Sequence, residues 1–307
     1  MITAPKKILR HLFGSGTARE DYNGAKKSLR QYESSIHALK ETLPTSFEFN
    51  QTEPIFIISA GWRSGSTLLQ RLVCSSKDTI LWGEPYDHCG IIQKLASSLQ
   101  AFSSSWPPDS YYYHEQDIAN TWVANLYPKT ENLILAYYAF IEKLFVPNAV
   151  ENKNIIWGLK EVRFGMKEVL FLKFLFPNAK FLYLKRNLFD AYESYTKFNI
   201  PMNWYRRWPD EPTFTPFRFA FHRAKLLKEF ELSIEKSGGL LIEYEQLISK
   251  EFNFDELNQY CNVKVDNSIL QKKIGSSSNA KGKISNLEYV LLKTGDFYGQ
   301  KNNIFVN

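Results

Sequence analysis

The stretch "GWRSGSTLL", Gly61 to Leu69, gathers the residue types that recognise an anion: an arginine, two glycines, three hydroxyl residues and little bulk. The apolar run Ile55–Ser59 precedes it and a helical pattern follows, so the segment reads as strand, tight loop and helix start. Exposed N–H groups at the first helical positions, Ser66 and Thr67, form an anion site, and Gly65 lets the backbone close around it. Set on the phosphate-loop pattern G-x-x-x-x-G-K-[ST], the chain supplies Ala60, four residues, Gly65, Ser66 and Thr67. Serine stands where the lysine belongs, and Arg63 supplies the missing positive charge from inside the loop. The second strand ends in "LWGEPYDH", which offers Glu84 and Asp87 but no clear magnesium motif of the kind a kinase uses. A transferring sulfuryl group carries less charge than a phosphoryl group, so arginine, lysine and backbone donors suffice for it without metal.

A second constellation lies more than a hundred residues on, in "FPNAKFLYLKRNLFDAYESY". Arg186 falls at the carboxyl end of a strand and Ser194 on the following helix, so the two can converge on one dianion.

These residues must be positioned by alternating strands and helices. Short apolar runs at Ile55–Ser59, Thr79–Trp82, Ile155–Leu159, Lys180–Leu184 and Gly239–Glu243 are bounded by turn residues and read as buried parallel strands. Helical patterns between them ("STLLQRLVCSS", "GMKEVLFLKFLF", "FRFAFHRAKLLKEFELSIEK") imply right-handed crossovers and an α/β fold, one parallel β-sheet flanked by helices. The interval from Asp87 to Asn154 holds the helical "ENLILAYYAFIEKLF" and the aromatic "DSYYYHEQDIANTWVANLYP". It reads as a helical insertion on the acceptor side, around residues 87–154; its aromatics, with "NWYRRW", either line a pocket or pack a cap. Residues 1–50 read as a polar helical appendage and 51–307 as the main domain.

The two motifs together resemble those of sulfotransferases that use 3′-phosphoadenosine 5′-phosphosulfate (PAPS). "WRSGSTLL" resembles that family's 5′-phosphosulfate loop and the Arg186–Ser194 segment its 3′-phosphate site. "IIWGLKEVR" is similar to the family strand whose lysine lies beside the sulfate, and "LIEYEQL" to a "YEDL"-type segment near the end of the core. The resemblance runs from about Pro54 to Leu247, fading through Asp87–Asn154, and implies a P-loop NTPase-like sulfotransferase fold. Carried over residue by residue, it assigns Arg63, Ser64, Gly65, Ser66 and Thr67 to the 5′-phosphosulfate. Arg186 and Ser194 take the 3′-phosphate, and Lys160 the charge on the bridging oxygen. Glu84, in "WGEP", matches the glutamate that serves as base in the tyrosylprotein branch; the cytosolic members' histidine after the lysine strand is missing, leaving His88 and His114 in reserve. The family's "R-K-G" clamp is also missing, and the nearest substitute is "GSSSNAKGK", with Ser277 and Lys281 as contacts.

Composition bounds the rest. A chain of 307 residues, 44% hydrophobic, can bury a large core. The net charge of +6 comes from 38 basic and 32 acidic residues that are interspersed, which suits a nucleotide pocket and disfavours nucleic acid as partner. Three widely spaced cysteines, Cys74, Cys89 and Cys261, form neither a disulfide framework nor a zinc pattern, pointing to the cytoplasm and to no required metal. No run approaches a membrane span or a signal peptide, leaving a membrane-surface contact through Ile8, Leu9, Leu12 and Phe13 as a minor reading. The expectation is a sulfotransferase moving a sulfuryl group from PAPS to a hydroxyl or amine of a small-molecule acceptor and releasing 3′,5′-adenosine bisphosphate (PAP). The rival readings are a P-loop kinase of small metabolites and a nucleotide-binding module without catalysis. The acceptor's identity and the oligomeric state are not encoded in these motifs.

Overall fold

The strand Ile55–Ser59 (β1) is apolar on both faces and wholly buried, the signature of a central strand in a sheet covered on both sides. The structure, a computed structural model, describes residues 18–86, 89–114, 118–120, 122, 125–146, 156–197, 213, 215–249, 251–271 and 284–301. In chain order its elements are α1 (Ala18–Thr42), β1, α2 (Ser66–Val73), β2 (Thr79–Gly83), α3 (Ile91–Ser98) and α4 (Thr130–Phe145). There follow β3 (Ile156–Glu161), α5 (Met166–Leu175), β4 (Lys180–Lys185), α6 (Leu188–Thr196) and α7 (Pro216–Ser237). The chain continues through β5 (Leu240–Glu243), α8 (Tyr244–Leu247), α9 (Phe254–Cys261) and α10 (Asn286–Lys301).

The five strands form one parallel sheet in the order β2-β3-β1-β4-β5. From β1 the chain steps to the edge strand β2 and returns with β3 between the two, then crosses to the other side with β4 and β5. The crevice at the carboxyl ends of β1, β3 and β4 is the switch point where such sheets take their ligands.

Side chains alternate across each strand and feed two cores. Phe56, Ile58, Trp157, Leu159, Phe181 and Tyr183 face one core, against α4, α5 and α7. Ile55, Ile57, Leu182, Leu184 and Ile242 face the other, against Leu69 and Leu72 of α2 and Leu257 of α9. A smaller cluster of Trp62, Tyr192, Tyr195 and Phe219 caps the carboxyl end of the sheet.

Two segments are more deeply embedded than their sequence suggests. Tyr32, Ile36 and Leu39 of α1 are buried in the main core, so this helix packs as part of the fold and not as a polar appendage. Ile134, Tyr137, Tyr138 and Ile141 of α4 join the same core, so the helix within the 87–154 interval braces the sheet. The aromatics before it pack on one another: Tyr111 and Tyr127 lie edge to face at 5.8 Å, and Trp106 meets Tyr111 at 5.4 Å. No described helix is long and apolar enough to cross a membrane.

Candidate active site

The loop after β1 turns sharply because three of its residues adopt left-handed backbone: Gly61 (φ 76°), Arg63 (φ 64°) and Gly65 (φ 94°). Arginine pays about 1–2 kcal/mol for that conformation, so the turn is held by the surrounding contacts. Ser64 supplies one of them. Its hydroxyl meets that of Ser59 and donates to the carbonyl of Gly61 at 2.7 Å. Ser64 is fully buried, so its hydroxyl closes the loop and is not presented to a ligand. Helix α2 then starts at Ser66 with Gly65 as its N-cap and no side-chain cap, which leaves its first N–H groups open toward the crevice end. Thr67 is exposed and Ser66 buried at this helix start.

Lys160 sits near the end of β3, 5% exposed, on the face shared with α2. Its ammonium donates to Glu84 Oε1, and the Glu84 N–H donates to the Lys160 carbonyl at 2.8 Å. The pair is thus joined through both side chain and backbone. Gly83 faces Lys160 across the strands, and a Cβ there would lie 3.2 Å from Gln70 Nε2 and 3.5 Å from Lys160 Cε. The glycine of "WGEP" therefore makes room for the lysine. Glu84 itself has φ 38°, so both Arg63 and Glu84, named for chemistry from sequence, sit in a backbone region that ordinary residues avoid. On the opposite face of β3, Glu161 is buried and takes a two-pronged contact from Arg163. Burial pushes the Glu161 carboxyl up, and Arg163 opposes the shift.

The two sequence motifs meet through Arg63. Its Nε donates to Ser194 Oγ at 2.9 Å, 131 positions away, and its carbonyl accepts from Arg186 Nη1 at 2.9 Å. Arg186 also lies over the ring of Tyr244 at 4.3 Å, and its Nε is buried with no hydrogen-bond partner. Tyr244 in turn packs on the loop: a Cβ at Gly65 would fall 2.2 Å from its ring. The next residue, Glu245, accepts from the Asn187 N–H at 2.9 Å. The "YE" of "LIEYEQL" thus ties the loop to the end of β4. Sequence reading picked out that segment but missed the role of Tyr244, because nothing local to it encodes the approach to Gly65.

Among the expected site residues, Arg63, Arg186 and Ser194 come together, as do Lys160 and Glu84. His114 turns back onto Asp109, five residues earlier in the chain. Asp87, His88, Ser277, Lys281 and the "NWYRRW" segment lie outside the described residues. Among the described residues no group of three or more histidine, cysteine or acidic side chains is placed to hold a metal ion.

A family model described as "Sulfotransferase family" matches residues 54–263, more than half of the chain. The chain belongs to the sulfotransferase family. The match spans β1 to α9 and so includes the loop, Glu84, Lys160, Arg186, Ser194 and Tyr244. Among solved structures, the sulfotransferase domain from the curacin biosynthetic pathway aligns with 15% identity and a TM-score of 0.43, covering 74% of this chain and 80% of its own. The sulfotransferase domain of the Synechococcus PCC 7002 olefin synthase aligns with 15% identity and a TM-score of 0.42, covering 83% and 97%. No curated protein matches the chain.

Proposed function

We propose that this sulfotransferase moves a sulfuryl group from PAPS to a hydroxyl or amine of a small-molecule acceptor and releases PAP. The observation that carries the reading is the Arg63 bridge. A single arginine joins the helix-start anion loop to Arg186 and Ser194, so two anion sites share one wall of the crevice. A nucleotide with phosphates at both its 5′ and 3′ positions has the charge distribution to span them. The residues fit such a donor on two further counts. The buried Arg186 Nε lacks a partner, and burying an unsatisfied guanidinium N–H is costly unless an anion meets it. The uncapped start of α2 likewise leaves N–H groups for an anion.

When bound, the donor supplies an electrophilic sulfuryl group and a phosphate leaving group. The chain's own residues do the remainder. Arg63 and the first N–H groups of α2 hold the 5′ end, while Arg186 and Ser194 hold the 3′-phosphate. Lys160 offsets the charge gathering on the bridging oxygen as it leaves. Glu84 takes the proton from the attacking hydroxyl or amine. Their ion pair holds the two side chains next to each other, so both roles are served from one point of the crevice. The cytoplasm is the proposed compartment, consistent with Cys74, Cys89 and Cys261 all being free thiols.

Incubation with ³⁵S-labelled PAPS and a panel of phenols, sugars and amines tests the assignment. Label transfer that Glu84→Gln abolishes supports it. Absence of PAP binding by the native protein would refute the donor.

A further inference from the structure

Arg223 is an arginine that the site described so far does not use. It lies on α7, is 4% exposed, and its Nη1 is buried with no hydrogen-bond partner. An arginine almost never enters a protein interior unpaired. Its position in the fold gives the reason. One turn earlier on α7, Phe219 packs against Tyr195 at 4.8 Å and Tyr192 at 5.4 Å, which bracket Ser194 on α6. The adjacent His222 faces Trp62 of the loop at 6.3 Å. This turn of α7 therefore lies behind the β4–α6 junction that carries Arg186 and Ser194.

The charges around it are unbalanced. Arg186 repels the Arg223 guanidinium, while Glu245 and Asp296 attract it. Glu245 already accepts the Asn187 N–H, and neither acid bonds Arg223 Nη1. The buried Arg223 guanidinium and the half-buried Arg186, each with one buried N–H unmet, thus stand close enough for their charges to interact. Burial lowers the Arg223 pKa to about 10, so the group is still cationic at neutral pH.

We propose that Arg223 is a second arginine of the 3′-phosphate subsite, opposing the dianion from α7 as Arg186 does from the end of β4. This rests on the PAPS assignment above. The dianion neutralises both arginines at once, and the planar guanidinium offers it the fork geometry that phosphate favours. Without the anion, Arg223 burdens the fold; with it, Arg223 gives selectivity for the 3′-phosphorylated nucleotide.

The test is calorimetric binding of PAP and of adenosine 5′-monophosphate, in chelator, to the native chain, Arg223→Met and Arg223→Lys. The native chain is expected to prefer PAP. Arg223→Met should lose about tenfold or more in PAP affinity and leave the monophosphate within about twofold. Because the methionine removes an unmet buried charge, unliganded Arg223→Met should melt no lower than the native protein, and its PAP-induced shift should shrink. Arg223→Lys, which keeps the charge but not the fork, should fall between the two for PAP, and it decides the matter if the methionine variant does not fold. Equal losses for both nucleotides, or no loss for either, would overturn the proposal. So would a marked fall in the unliganded melting temperature of Arg223→Met, since Arg223 would then be a structural counter-ion of Glu245 and Asp296. A native chain without preference for PAP would instead remove the donor assignment, and this proposal with it.

Discussion

Alanine at Gly65 would place a methyl group 2.2 Å from Cδ2 and 2.5 Å from Cε2 of Tyr244, in a backbone conformation of φ 94°. Two separable penalties follow. The left-handed backbone alone costs alanine about 1–2 kcal/mol. The overlap forces the ring aside, and overpacking of this kind costs about 1–3 kcal/mol more. Gly61 isolates the first penalty, since it has φ 76° and nothing within 4 Å of its hypothetical Cβ. At about 2 °C per kcal/mol for a chain of this size, Gly61→Ala should lower the melting temperature by about 2–4 °C and Gly65→Ala by about 4–10 °C. The displaced ring also supports Arg186 at 4.3 Å. Losing that support, worth about 1 kcal/mol, should weaken PAP binding by about fivefold in Gly65→Ala while adenosine 5′-monophosphate is less affected. Thermal melts of both variants and a double-mutant cycle with Tyr244→Ala measure the coupling. Equal melting temperatures for the two glycine variants, or additivity with Tyr244→Ala, would refute the packing of Tyr244 on the loop at Gly65.

Other expectations address single residues. Arg186→Ala should weaken PAP by about 10- to 100-fold, the worth of a charge-assisted hydrogen bond, and spare nucleotides without a 3′-phosphate; titration of both ligands checks it. Glu84→Gln keeps an oxygen for Lys160 to donate to, so PAP affinity should hold while turnover falls by about 10²- to 10⁴-fold, read from single-turnover kinetics. Burial pushes the Cys261 thiol up to about 12 and raises that of Cys74 as well, whereas Cys89 is exposed. A raised pKa leaves almost no thiolate below it, so at pH 8 iodoacetamide should label Cys89 first and reach Cys261 only on unfolding; peptide mass spectrometry follows the order.

Much of this architecture was legible because buried parallel strands are written as short apolar runs. All five were located in the sequence, with boundaries shifted by a residue or two. The turn after β1 was legible for a similar reason: its glycines and hydroxyls sit at fixed spacing between a strand and a helix, and Arg186 and Ser194 fall just past a strand end and on the next helix as their spacing suggests. The failures share one physical origin. In α1, Tyr32, Ile36 and Leu39 form a narrow apolar stripe at helical spacing, which a polar average over the segment conceals. Ser64 looks like its neighbours in the loop, and only the turn geometry sends its hydroxyl inward. Tyr244 and Arg223 act through residues far away in sequence, so no local pattern marks them. An arginine within an amphipathic helix reads as solvent-facing until the packing of α6 and the loop around that helix is known.

The most direct measurement is calorimetric binding of PAP against ATP, first in chelator and then with magnesium. Micromolar or tighter PAP binding in chelator, with ATP much weaker, is the predicted result, because the proposed function assigns Arg63, Arg186 and Ser194, which are joined by hydrogen bonds, to phosphates at both ends of the nucleoside. Magnesium-dependent ATP binding without preference for PAP would contradict it and transfer the site to a kinase.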